Sequence, residues 1–205
     1  MSDLSFSPAA ERNKQPILER LLGILGEQGA ALEIASGTGQ HAEWFATALR
    51  GWTWQTSDAD ARALPALARR VEQAGLPGLR PPVLLDVMDA PWPSQGQAFA
   101  QEFDAIYCAN MLHISPWSTC TALMQGAARH LRPEGLLVTY GPYFEEGTAP
   151  APSNLAFDQS LRERDPAWGI RSLKDVEAQA RAAGLRLHAR HEMPANNLLL
   201  SLIHI

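Results

Sequence analysis

The sequence predicts an α/β fold: a Rossmann-like sheet of seven strands with helices on both faces and an antiparallel last strand. Three observations carry it. Ala31 to Ala35 is apolar except for Glu33, Gly37 and Gly39 follow as a turn, and Ala42, Phe45, Ala46 and Leu49 then form a one-sided helical stripe. The same strand-then-helix alternation recurs down the chain, as a parallel sheet requires. The last two apolar runs, Leu185–His191 and Leu198–Ile205, are separated only by Met193 to Asn197. So short a link makes a hairpin, hence an antiparallel pair.

At 205 residues the chain fits a single domain, 1–205. Its 46% hydrophobic and 19% charged residues are ordinary for a globular protein. A net charge of -5 without a basic run argues against a nucleic-acid partner. No apolar run is long enough for a membrane span, and no secretory leader is expected. Cys108 and Cys120 lie in apolar stretches and read as reduced core thiols of a cytoplasmic protein.

Met1 to Pro8 reads as a loose arm, and a helix is expected over Asn13–Gly26 with Pro16 in its first turn. The second strand is Trp52 to Ser57. Asp60 is expected to cap the next helix, which carries Leu64, Leu67, Ala68 and Val71. Pro77 to Pro82 reads as a link, Val83 to Asp86 as the third strand, and Phe103 to Ala109 as the fourth. Ser115 caps and Pro116 opens a helix with Cys120, Leu123, Met124 and Ala127 inward, followed by strand Leu136–Tyr140. Gly141 to Ser153 is a long Gly/Pro-rich loop. A helix over Asn154–Arg164 with Phe157 and Leu161 inward follows, then a capping box at Ser172 to Asp175.

The glycine turn allows two ligands. Gly37 to Ala42 matches a dinucleotide fingerprint loosely. Glu33, Ala35, Gly37 and Gly39 match better the first motif of S-adenosylmethionine-dependent methyltransferases, with Ala35 in place of the more usual glycine. Asp58, 19 residues past Gly39, stands where a carboxylate accepts from both ribose hydroxyls. Asp86, with Val87 behind it, can accept from the adenine amine; a turn-initiating Asp is the plain alternative.

The chain resembles the methyltransferase-like 26 family, bacterial and animal proteins of unestablished chemistry with the class I methyltransferase fold. The resemblance spans nearly the whole chain. It rests on Ser7 to Lys14, Glu33 to His41, Asn110 to Trp117, Tyr140 to Tyr143, Ser153–Asn154 with Phe157–Asp158, Arg164 to Arg171, and Met193 to Asn197. Ser172 departs from it, standing where an acid is common. The resemblance implies the fold and S-adenosylmethionine, and it supplies no substrate.

Methyl transfer from a sulfonium asks the protein to position the acceptor and, where needed, to remove a proton. His113 is the expected general base, and Tyr143 with Tyr140 is expected at the acceptor; backbone bonding and core packing are their plain alternatives. Asn110 is expected to hold a loop or the methionine end of the cofactor. Arg12 and Asn13 are expected to fold over that end, making 1–13 a lid. No His/Cys/Asp spacing suits a metal. The expected function is a class I methyltransferase acting on a small molecule. The alternatives are a non-catalytic S-adenosylmethionine-binding protein or subunit and, more weakly, an NAD-dependent enzyme. The sequence does not speak to oligomeric state.

Overall fold

The computed structural model describes residues 4–100 and 102–205. Its helices are α1 Pro8–Ile24, α2 Gln40–Ala48, α3 Leu64–Ala74, α4 Trp117–His130, α5 Pro152–Arg164 and α6 Leu173–Ala182. Its strands are β1 Gly29–Ile34, β2 Trp52–Asp58, β3 Leu79–Leu84, β4 Phe103–Ala109, β5 Leu131–Gly141, β6 Tyr143–Phe144, β7 Arg171–Ser172, β8 Leu185–Met193 and β9 Asn197–His204. Seven of them form one sheet in the order β3-β2-β1-β4-β5-β9-β8, and β6 pairs separately with β7. β1, β2 and β3 run parallel, while β9 is antiparallel to both β5 and β8. This is the predicted sheet, hairpin included. Two compact units make up the chain, residues 1–107 and 108–205.

In the first unit β1 is apolar and buried because covered parallel strands meet side chains on both faces. Leu32, Ile34, Phe45, Trp54 and Leu67 are all at most 2% exposed. In the second, Leu123, Met124, Val138, Leu161, Val176 and Leu200 are completely enclosed. Cys108 and Cys120 are buried free thiols.

Several element boundaries differ from the sequence reading, each for a local reason. Helix α1 starts at Pro8, not Asn13. Ser7 Oγ accepts from the Ala10 N–H at 3.3 Å, and Pro8 suits a first helical position, so the polar cluster lies inside the helix and Pro16 lies well within it. Of the expected loose arm, Met1 to Asp3 lie outside the described residues. Strand β3 begins at Leu79 and ends before Asp86. It is an edge strand, where Pro81 and Pro82 withdraw no needed donor. Asp60 does not cap α3, which has Ala63 at that position. Its side chain instead accepts from the Arg62 N–H and its carbonyl from Ala63, closing the preceding turn. Ser115 does not cap α4 either: its hydroxyl donates to the Met111 carbonyl and Pro116 takes the cap position. The 141–153 loop is shorter than expected, since Tyr143–Phe144 is strand β6 and α5 starts at Pro152. Phe157 is not inward but 37% exposed.

Candidate functional site

In the first unit the ends of β1, β2 and β3 carry the glycine turn, Asp58 and Asp86. Ala35, Gly37 and Gly39 all have positive φ, at 55°, 54° and 75°. Three left-handed residues so close together lift the backbone into a tight loop that glycine adopts freely and alanine does not. A Cβ on Gly37 would meet nothing nearer than the Ala35 carbonyl oxygen at 4.0 Å, so this rim of the loop is sparsely covered. A Cβ on Gly39 would lie 2.5 Å from Leu67 Cδ1 and 2.9 Å from Arg70 Cδ, so the turn packs directly on α3.

Asp58 Oδ2 accepts from the Gly37 N–H and Oδ1 from the Asp60 N–H, both at 2.9 Å. A carboxylate has about four acceptor positions, so these two bonds leave room for two further donors. Asp58 is half-buried. Asp86 Oδ1 accepts from the Met88 N–H at 2.9 Å, its own N–H donates to Ser94 Oγ, and Val87 is buried. This pair of acceptors fits a nucleoside: a diol acceptor at one strand end, an amine acceptor at the next, and a sparsely covered loop for a chain of atoms between.

Glu33 has a different place. It is 2% exposed and accepts from the Trp54 indole N–H at 3.0 Å. Burial pushes its carboxyl up to about 8, so it is protonated at neutral pH and lies beneath the loop. Asn13 turns to the protein as well, its Oδ1 2.7 Å from His41 Nε2, with the Tyr107 hydroxyl 3.3 Å from Nδ1. Burial lowers His41 to about 4, so this imidazole is neutral. Arg12 is exposed on α1.

The sequence reading missed what holds the loop. Arg70, 9% exposed, donates from Nε to the Thr38 carbonyl at 2.6 Å. Its two terminal nitrogens reach the Glu43 carboxylate at 2.6 Å and the Ser5 carbonyl at 2.7 Å. One guanidinium thus ties the glycine turn, α2 and the N-terminal segment to α3. Gln40 adds a second tie: its Oε1 accepts from the Ser7 N–H at 2.5 Å and its Nε2 donates to Glu11 at 3.0 Å. The available signal was position, since Arg70 lies three residues after Leu67 on the apolar stripe of α3.

In the second unit Asn110 has φ 58° and donates its N–H to the Tyr140 carbonyl at 2.8 Å, a left-handed corner that Asn tolerates. The 3-10 turn Leu112–Ile114 follows. His113 is 6% exposed, 5.5 Å from the Phe157 ring. Its Nδ1 lies 3.4 Å from where a Gly141 Cβ would be, so a side chain there would pack against the imidazole. Burial, with Arg171 and Arg164 nearby, holds its pKa down at about 4. Arg171 fixes the turn: Nε donates to the Leu112 carbonyl at 2.9 Å, and a terminal nitrogen to Ala167 at 2.9 Å. The Gly169 N–H also donates to the His113 carbonyl. Tyr143 is buried, its hydroxyl donating to Thr139 Oγ1 at 2.8 Å, and burial pushes its phenol well above the usual range. Tyr140 is buried too.

A cavity of about 290 Å³ opens where β5 ends and the β8–β9 hairpin turns, lined among others by Tyr143, Phe144, Asn154, Arg190 and Asn197. Asn154, Asn196 and Asn197 belong to one cluster there, as Asn154 Nδ2 donates to the Asn196 carbonyl at 3.0 Å. Asp158 faces elsewhere, accepting from Arg162 and the Ile170 N–H. Among the described residues no group of His, Cys, Asp and Glu could hold a metal ion, and no helix is long and apolar enough to cross a membrane.

A family model described as "Protein of unknown function (DUF938)" matches residues 4–204. Solved structures with the same fold include the mitomycin 7-O-methyltransferase, at TM-score 0.79 and 14% identity over 96% of this chain and 54% of that one. An O-methyltransferase family 2 protein from Planctomyces limnophilus, in complex with apigenin, has TM-score 0.76 and 17% identity over 96% and 60%. Human N-acetylserotonin methyltransferase, in complex with S-adenosylmethionine, has 0.74 and 14% over 96% and 52%. The chain spans a little over half the length of these structures. At these identities the likeness shows the class I methyltransferase fold.

Proposed function

The chain belongs to the family described as "Protein of unknown function (DUF938)", and we propose that it is an S-adenosylmethionine-dependent methyltransferase acting on a small molecule. The observation that carries the reading is Asp58 at the end of β2, bonded to the Gly37 N–H and still able to accept two hydroxyls. The matched methyltransferase structures and the methyltransferase-like 26 resemblance support it. Two buried reduced cysteines support a cytoplasmic setting.

In this reading the first unit binds the cofactor. Asp58 accepts the ribose diol, Asp86 the adenine amine beside Val87, and the sparsely covered rim at Gly37 leaves room for the chain between. Ala35 and Gly39 shape that loop, and Glu33, neutral beneath it, supports rather than contacts. Arg12 and Asn13 sit on the segment that Arg70 and Gln40 hold to the loop, which makes residues 4–13 its cover. Asn110, in the second unit, takes the other expected role and holds the loop after β4, its N–H bonded to the Tyr140 carbonyl. S-adenosylmethionine, when bound, supplies an electrophilic methyl group.

The second unit handles the acceptor. His113 is neutral at physiological pH and so unprotonated, and because burial and the nearby arginines disfavour its charged form it relays a proton rather than keeping one. Tyr143 keeps its proton and its bond to Thr139, so it shapes the acceptor's surroundings instead of moving a proton. The test is incubation with methyl-labelled S-adenosylmethionine and a metabolite mixture. Labelled product from the parent, much reduced in His113→Asn at unchanged cofactor affinity, is expected. Cofactor binding with no labelled product from any fraction would leave a binding protein instead.

A further inference from the structure

The cavity of the second unit has unusually one-sided polar chemistry. Arg190 is its cation, and that cation is spent: Nε and a terminal nitrogen bind both oxygens of Glu145, at 2.6 and 2.7 Å. Glu192 approaches the same guanidinium only at 3.4 Å and is 82% exposed, so its charge stays largely available. The three charged side chains therefore leave the rim with one net negative charge. The amides point the same way. Asn154 Nδ2 donates to the Asn196 carbonyl, and Asn197 Nδ2 to the carbonyls of Pro194 and Ala195. Asn197 Nδ2 thus spends both its N–H groups on carbonyls and Asn154 Nδ2 one of its two, while both side-chain oxygens remain as acceptors. Asn154 is 8% exposed, so its acceptor belongs to the cavity wall and not to an open surface. The other lining includes the rings of Tyr143 and Phe144 and the side chains of Met193 and Leu198. Aromatic faces beside acceptors and a spare carboxylate favour a ligand with N–H donors, positive charge and an apolar body.

We propose that this cavity binds a small organic ammonium compound, and that the methyl acceptor belongs to that class: the ammonium first loses one proton to water, the amine lone pair then forms the N–CH3 bond as the S–CH3 bond of S-adenosylmethionine breaks, and S-adenosylhomocysteine leaves. The acceptor role rests on the methyltransferase reading; the preference for a cation does not. The argument is one of charge balance: the wall's cation is already paired with Glu145, and the charge left over is the carboxylate of Glu192, beside the amide oxygens of Asn154 and Asn197.

Three probes of equal shape test it: phenethylammonium, 2-phenylethanol and phenylacetate, titrated into the full chain by calorimetry or ligand-observed NMR. Phenethylammonium is expected to bind about tenfold more tightly than phenylacetate, with the alcohol between. Glu145→Gln removes the partner that occupies Arg190, so the order should invert toward phenylacetate. Glu192→Lys, on an exposed side chain with little folding risk, should weaken phenethylammonium about fivefold. Equal binding of all three probes, tighter phenylacetate in the parent, or no binding of phenethylammonium would overturn the proposal. So would an unchanged order in both variants. A parallel titration with S-adenosylhomocysteine separates the two readings: ammonium binding without nucleoside binding removes only the acceptor role, and nucleoside binding without ammonium binding overturns the proposal while the methyltransferase reading stands.

Discussion

Replacing Arg70 with Met keeps the length and much of the apolar stem of the side chain and removes five N–H donors. Three of its bonds are at issue. The Thr38 and Ser5 carbonyls lose a charged donor, a loss worth about 1.5–3 kcal/mol each when the partner stays buried. The Glu43 carboxylate is 39% exposed and regains water, so its share is at the surface value, about 0–1 kcal/mol. Since part of the N-terminal segment can also rehydrate, the expected cost is about 2–4 kcal/mol. For a chain of this size that lowers Tm by on the order of 10 °C. Thermal unfolding followed by circular dichroism measures it. Arg69→Met, on the exposed neighbouring residue, should change stability by less than about 0.5 kcal/mol. Arg70→Lys, a single point donor in place of a fork, should fall between. A Tm change below about 2 °C for Arg70→Met, or one equal to that of Arg69→Met, would refute the claim that this guanidinium ties the loop together.

Glu33 is held near 8, above its ordinary 4.5, so the folded state keeps a proton that the unfolded state gives up. Stability should therefore fall as pH rises from about 5 to 8, by up to about 1.4 kcal/mol per pH unit, and Glu33→Gln should flatten that slope; parallel pH profiles of the two proteins would contradict it. His113 and His41, each lowered to about 4, should show no imidazole titration by NMR between pH 5.5 and 8, whereas a midpoint near 6.5 for either would mean its burial is overstated. Ala35 has φ 55°, so Ala35→Gly should stabilise the chain by about 1 kcal/mol as measured by urea unfolding, and a loss of stability would show that the strain is not there.

Periodicity and turn chemistry carry most of the fold. The apolar run before Gly37, the stripe after it and the terminal hairpin signal lie in consecutive residues, and local sequence contains them whole. Boundaries slipped where a position's meaning depends on its neighbours in space. Leu79 to Pro82 reads as a link until the strand proves to be at the sheet's edge, where proline is tolerated. The candidate site divides in the same way. Gly37, Gly39 and Asp58 follow a fixed spacing and are legible. Arg70, 32 residues from the carbonyl it holds, is not, because a lone Arg on a helix stripe looks like a solvated charge until its three partners converge. Glu33 is legible as a motif residue but not as a protonated one, since its state comes from burial beneath Trp54.

The most direct measurement is calorimetric titration of the full chain with S-adenosylmethionine and S-adenosylhomocysteine, in the parent and in Asp58→Ala. The parent should bind both. The variant loses the diol acceptors and the tie to the Gly37 N–H, so its affinity should fall by about 1–3 kcal/mol, or roughly 5- to 150-fold, with the fold retained by circular dichroism. No binding in the parent, or equal binding in Asp58→Ala, would contradict the account.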